Sequence, residues 1–200
     1  MTTSARDDIL GRVRQALGSE DRPTVEVLRS YRDAPSYVDL TALFVERVED
    51  YKATVVRCGE DQVEAAITAA TAGGRVVVPT GFGWTVPGAV PDDALSHADL
   101  DALDGVVTSA ALGIAETGTI VLDHGPGQGR RALSLVPDLH ICVVRAGQVV
   151  GGVAEAVGLL DPLRPQTWIS GPSATSDIEL QRVEGVHGPR TLHVIVVDEI

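Results

Sequence analysis

The stretch ATVVRCGEDQVEAAITAATAGGRVVVP, residues 53–79, carries the alternation from which the fold is read. Ala53–Cys58 is a short β-branched run, Asp61–Ala72 is helical and rich in alanine, and Arg75–Pro79 has the continuous apolar character of a buried strand. Upstream, Leu40, Leu43, Phe44 and Val48 share one helical face. Downstream, strands are expected at Gly105–Thr108, Thr119–Leu122, Leu139–Arg145, Thr167–Ser170 and Thr191–Val197, with helices over Val153–Leu160 and Asp177–Val183. Helix alternating with apolar strand predicts an α/β fold: a single, mostly parallel open sheet with helices on both faces.

Working outward to the amino terminus, Ile9, Leu10, Val13 and Leu17 recur at helical spacing, so Ser4–Leu17 reads as an amphipathic helix stopped by Gly18. Ser19–Ser36 is polar, carries Pro23 and Pro35, and has no sustained period, which makes it a linker. The chain therefore divides into an N-terminal helix and linker, residues 1–36, and one α/β domain, residues 37–200. The first helix packs either on that domain or on a partner.

Composition narrows the function. Acidic residues outnumber basic ones 28 to 16, for a net charge of −12, and even the arginine-rich first quarter is net negative, so nucleic acid is an unsuitable partner. The first residues contain charges where a signal peptide needs an apolar core, and no run approaches a membrane span, so a cytoplasmic location is expected. Cys58 and Cys142 lie singly in apolar runs, too few for an iron-sulfur cluster or a closed zinc site. Lys52 is the one lysine, which disfavours Schiff-base chemistry and lysine-dependent phosphate loops. Metalloprotease, P-loop and serine-hydrolase motifs are absent, and no metal ligand set is expected.

Four corners carry residues suited to binding. AETGT, Ala115–Thr119, offers Glu116 as a base or nucleophile, with Thr117, Gly118 and Thr119 supplying hydroxyls and close backbone approach; the competing reading is a tight turn with a solvated glutamate. DHGPGQGRR, Asp123–Arg131, could wrap an anion with glycine backbone donors and grip it with Arg130 and Arg131, or could be a surface loop with solvated arginines; His124 reads as a turn residue. WISGPSATSDIEL, Trp168–Leu180, crowds Gly171, Pro172, Ser173, Thr175 and Asp177 at an expected helix start. A capping box of Ser176 with Glu179 accounts for only part of that cluster, and an anion site accounts for the rest. GVHGPR, Gly185–Arg190, can present His187, Gly188 and Arg190 to the same pocket, or can simply end a helix. His140 and His193 lie within apolar strands and read as satisfied core residues.

In this order, AETGT, the arginine-bearing loop leading into LSLVPDLHICVV, SGPSATSDIE and GVHGPRTLHVIVVD resemble the LUD domain of the lactate-utilisation protein C family, from about Tyr37 to the carboxyl terminus. The N-terminal helix looks like that family's variable extension. The resemblance implies a fold similar to ribose-phosphate isomerases and coenzyme A transferases. It also implies a role in oxidising L-lactate to pyruvate alongside iron-sulfur and oxidoreductase partner subunits. Longer relatives carry a cysteine-rich ferredoxin-like segment that this sequence lacks, so no cofactor is expected in this chain and the iron-sulfur clusters are expected on partner subunits. By analogy with the transferases, Glu116 would be the nucleophile. Three functions follow: an accessory subunit that binds a small carboxylate or other anion, a free-standing transferase or isomerase using Glu116, or a non-catalytic scaffold.

Overall fold

The structure, a computed structural model, describes residues 4–18, 26–27, 38–175, 183–185 and 187–198. The chain forms two units, Met1–Asp33 and Ala34–Ile200. In the first, α1 (Ala5–Leu17) starts where the Ser4 hydroxyl accepts from the Asp7 N–H, and Asp7 and Asp8 complement the helix dipole. None of its residues is buried. The expected linker lies, apart from residues 26–27, outside the described residues.

The second unit opens with α2 (Leu40–Asp50), capped by the Asp39 carboxylate, which accepts from the Ala42 N–H at 2.9 Å. Then come β1 (Thr54–Cys58), α3 (Val63–Thr71), β2 (Val76–Val78), β3 (Val90–Pro91), α4 (His97–Asp101) and β4 (Gly105–Ser109). β5 (Leu112–Ile114), β6 (Thr119–Leu122), β7 (Leu139–Arg145), β8 (Val149–Val150), α5 (Val153–Leu159) and β9 (Thr167–Ile169) follow. β10 (Ala174–Thr175), β11 (Val183–Glu184) and β12 (Thr191–Val197) complete the chain. The helix expected over Asp177–Val183 lies, up to residue 182, outside the described residues, and Val183 begins β11.

Six strands form a fully parallel sheet in the order β1-β12-β7-β4-β2-β3. A strand inside such a sheet has no wet face, which is why β7 (LHICVVR) and β12 (TLHVIVV) are nearly unbroken apolar runs. Side chains alternate across the sheet: Ile141, Val143, Ile195 and Val197 pack with Val63 and Ile67 of α3, while Cys142, Val144, Val194 and Val196 pack with Phe44 and Val48 of α2.

The expected mostly parallel α/β sheet is present; what is corrected is that it is not single. Thr119–Leu122 and Thr167–Ile169 leave the parallel sheet for a second one of order β8-β5-β6-β9, in which β6 is antiparallel to both β5 and β9. AETGT is the reason, because it turns β5 directly back into β6: the Gly118 N–H donates to the Ala115 carbonyl, leaving no room for a crossover. Ile120, Leu122 and Val149 face the α2 side of the main sheet, and Leu112, Ile114, Val121 and Val150 pack against Ala156 of α5. The layers therefore run α3, parallel sheet, α2 with the small sheet, then α5. Among the described residues no helix is long and apolar enough to cross a membrane.

Candidate functional site

The site grows from the pairing of β6 with β9. Antiparallel register sets Ile120 opposite Ile169, which brings the start of one strand and the end of the other together. Thr119 Oγ1 then lies 2.8 Å from Ser170 Oγ and 2.7 Å from Thr117 Oγ1, giving a string of three hydroxyls. Both turns rest on the end of α2. Gly118 (φ +58°) and Gly171 (φ +79°) approach so closely that a Cβ on them would lie 2.7 Å from the Arg47 carbonyl carbon and 2.5 Å from Tyr51 Cβ.

Beyond Gly171 the chain is stitched by Ser173. Its N–H donates to the Pro189 carbonyl at 2.8 Å, its carbonyl accepts from the Gly185 N–H at 2.9 Å, and its hydroxyl oxygen accepts from the His187 N–H at 2.9 Å. The GPS turn and the HGP segment, far apart in sequence, are thus one unit. Among the described residues the Ser173 hydroxyl proton has no acceptor and can be donated.

These pieces enclose a cleft of about 280 Å³ between the two sheets, at the amino ends of β7 and β12. Its walls come from residues 167–174, from His187, Gly188 and Pro189, and from Arg131, Ser134 and Leu135 in the short 3-10 turn after the glycine loop. His140 and Leu192, the second residues of β7 and β12, also border it. The Arg131 guanidinium has no carboxylate partner among the described residues. His140 is fully buried, and its Nε2 lies 2.8 Å from Thr108 Oγ1; burial pulls its pKa from 6.5 down to about 4, so the ring is neutral. Cys142, one pleat along, is pushed up to about 12 by burial and stays a thiol.

Of the residues singled out in the sequence, Arg131, Gly171, Pro172, Ser173, His187 and Gly188 meet at this cleft, and Thr119 touches it through Ser170. Thr117 and Gly118 stand one step behind. Glu116 is exposed and faces a separate groove with Arg47, Asp50, Tyr51 and Thr117. Arg130 turns the other way, forking onto Asp92 with two contacts of 2.9 Å, which hold the Asp92 carboxyl below its usual range. Arg190 is exposed, 3.4 Å from Asp138, and does not border the cleft. Asp177 and the Thr175 side chain lie outside the described residues.

In the glycine loop, backbone donors are turned onto the protein itself. The Gly125 N–H donates to Asp123 Oδ1, that of Gly127 to the Thr80 carbonyl and that of Gln128 to the Gly125 carbonyl, so these donors are spent. His124 is the turn residue expected (φ +58°), held by the Gly129 carbonyl and Thr167 Oγ1. His193 is half-buried, and its Nδ1 has no hydrogen-bond partner among the described residues, whereas His140 is paired with Thr108 through Nε2. Sequence reasoning passed over His140, Ser134, Thr167 and Ser170 as cleft residues. For Ser170 the signal was its place directly before the Gly-Pro turn.

Open α/β sheets usually bind ligands at the carboxyl ends of their strands, and a larger hollow of about 760 Å³ does lie there, beside Ser109 and Arg145. Its arginines are already neutralised. Arg145 forks onto Glu60 at 2.6 and 3.0 Å and stacks 5.0 Å over Trp84, and Arg164 pairs with Asp123 at 2.6 Å. For an anion the smaller cleft, whose Arg131 guanidinium and Ser173 hydroxyl proton are uncommitted among the described residues, is the better host.

Comparison with known proteins places this architecture. Residues 46–197 match the LUD domain. Across 98% of its length the chain is similar, at 46% identity over 208 aligned positions, to Lactate utilization protein C of Deinococcus radiodurans, 97% of which is covered. It is 40% identical over 95 residues to Lactate utilization protein C of Bacillus pumilus, a match spanning 43% of this chain and 39% of that protein. A crystal structure of a DUF162 family protein from Deinococcus radiodurans superposes with a TM-score of 0.69 at 41% identity, covering 79% of this chain and 96% of the other. The chain belongs to the LUD domain family.

Proposed function

We propose that this chain serves L-lactate utilisation as the subunit that binds a small carboxylate in the Ser173 cleft, working in the cytoplasm beside iron-sulfur and oxidoreductase proteins that take the two electrons of lactate oxidation. The relatives' names support the pathway. The observation that carries the binding role is the meeting of Arg131, Ser170, Ser173 and His187 at one cleft from three separate segments. A guanidinium and hydroxyl donors suit a carboxylate, and Leu135, Ile169 and Leu192 offer an apolar wall for a short carbon chain. With two buried cysteines in the chain, clusters belong to the partners. A nucleophile's role for Glu116 draws no support from its surroundings, since it is exposed in another groove.

The test is thermal denaturation of the purified chain with L-lactate, pyruvate, acetate and inorganic phosphate. A ligand at a hundredfold its Kd adds about 2.7 kcal/mol to stability and raises the melting temperature by several degrees. L-lactate or pyruvate should do so, and Arg131→Ala or Ser173→Ala should weaken the effect at least tenfold in concentration. No shift with any of these anions would overturn the binding role.

A further inference from the structure

His140 is the group in the cleft whose chemistry the carboxylate-binding role does not use. It sits on β7 opposite Val106 of β4 and Leu192 of β12, and Thr108 lies opposite Cys142. Its Nε2 is 2.8 Å from Thr108 Oγ1, and that hydroxyl donates in turn to Cys142 Sγ at 3.6 Å. A hydroxyl has one proton. The tautomer follows from where that proton goes: on the ring nitrogen it puts the imidazole proton on Nδ1, and on sulfur it leaves Thr108 Oγ1 only lone pairs to offer, so that the imidazole proton sits on Nε2. The other nitrogen, Nδ1, is then a bare acceptor on a side chain that borders the cleft.

We propose that the chain His140 Nε2–H to Thr108 Oγ1–H to Cys142 Sγ fixes His140 Nδ1 as a hydrogen-bond acceptor for the ligand's hydroxyl, so that the cleft selects 2-hydroxy acids over 2-oxo acids. This rests on the reading of the cleft as a carboxylate site and adds its specificity. With the carboxylate on Arg131, the carbon next to it lies deeper in the cleft, toward the residues of β7 and β12. A hydroxyl there donates to Nδ1, whereas a ketone oxygen sets lone pair against lone pair. Sites built to bond a hydroxyl reject analogues that lack it far more strongly than apolar pockets reject a missing methylene. Burial keeps the ring neutral at physiological pH, so protonation does not abolish the acceptor.

The experiment is calorimetric titration of the full chain with L-lactate, pyruvate and propionate, repeated on Thr108→Val, a change of similar volume that removes the hydroxyl while leaving His140 in place. Nitrogen-15 spectra of the histidine rings report the tautomer independently. The expected result is L-lactate binding at least tenfold tighter than either analogue, an Nε2–H ring, and a preference that falls to within about twofold in Thr108→Val. Equal binding of L-lactate and pyruvate, an Nδ1–H ring, or an undiminished preference in the variant would overturn the proposal while the carboxylate site stands. No binding of any of the three acids would overturn the site, and this proposal with it.

Discussion

Acidification makes a quantitative demand on His140. Its pKa lies at about 4 in the folded protein against 6.5 for an unburied histidine, and the cause is burial. The folded state therefore binds fewer protons than the unfolded chain between those values. Stability is complete above 6.5 and is lost as pH falls from 6.5 toward 4. At ~1.4 kcal/mol per pH unit the gap is worth about 3 kcal/mol, of which roughly 2 kcal/mol disappears between about pH 7.5 and about pH 5. In a domain of this size that lowers the melting temperature by roughly 4–8 °C. Burial lowers the pKa of His193 as well, so wild type alone does not isolate the effect. His140→Gln does: it keeps a polar group beside Thr108 but cannot titrate. The carboxyls of Glu60 and Asp92, held low by Arg145 and Arg130, lose their contributions only below about pH 4.5, outside the window. Urea unfolding at the two pH values should give a stability loss roughly 2 kcal/mol smaller in the variant than in wild type. Equal losses in the two proteins would refute the placement of a neutral, buried imidazole at the cleft.

The remaining expectations concern the frame around the cleft. Gly118→Ala drives a Cβ into the Arg47 backbone at a positive φ and should cost about 2 kcal/mol or more by denaturant titration; Gly171→Ala should do the same against Tyr51. Asp92→Asn should destabilise the fold by about 1 kcal/mol through loss of the Arg130 fork while leaving anion affinity unchanged in calorimetry. Arg131→Ala should show the reverse, with stability within about 0.5 kcal/mol of wild type and anion affinity reduced at least tenfold.

How far these features were legible in the sequence depends on whether the information is local. β7 and β12 announce themselves because a strand covered on both faces must be apolar at every position, and the helical faces of α2 and α3 are set by period. The second sheet did not announce itself. β5 and β8 have three and two residues and become strands only through their partners, and although β6 and β9 are read as strands, no single strand's pattern states the direction of its neighbour. α4 was likewise missed, being five residues held by a Ser96 cap.

At the site, the GPS and HGP segments were visible as glycine-restricted, hydroxyl-rich corners, and Ser173 joins them as their chemistry invites. The parting of Arg130 from Arg131 was not visible. Asp92, which claims Arg130, lies 38 residues away, and adjacent positions in a tight turn point in different directions. His140 reads as core because it is core; that it also borders a cleft follows from the small sheet, which the strand pattern did not reveal.

The most direct measurement is a crystal of this chain soaked with L-lactate. Density for the acid should appear in the cleft, its carboxylate within hydrogen-bond reach of Arg131 and of the Ser170–Ser173 hydroxyls and its carbon chain against Leu135 and Leu192. Density instead in the hollow between Arg145 and Arg164, with the Ser173 cleft holding only water, would contradict the account.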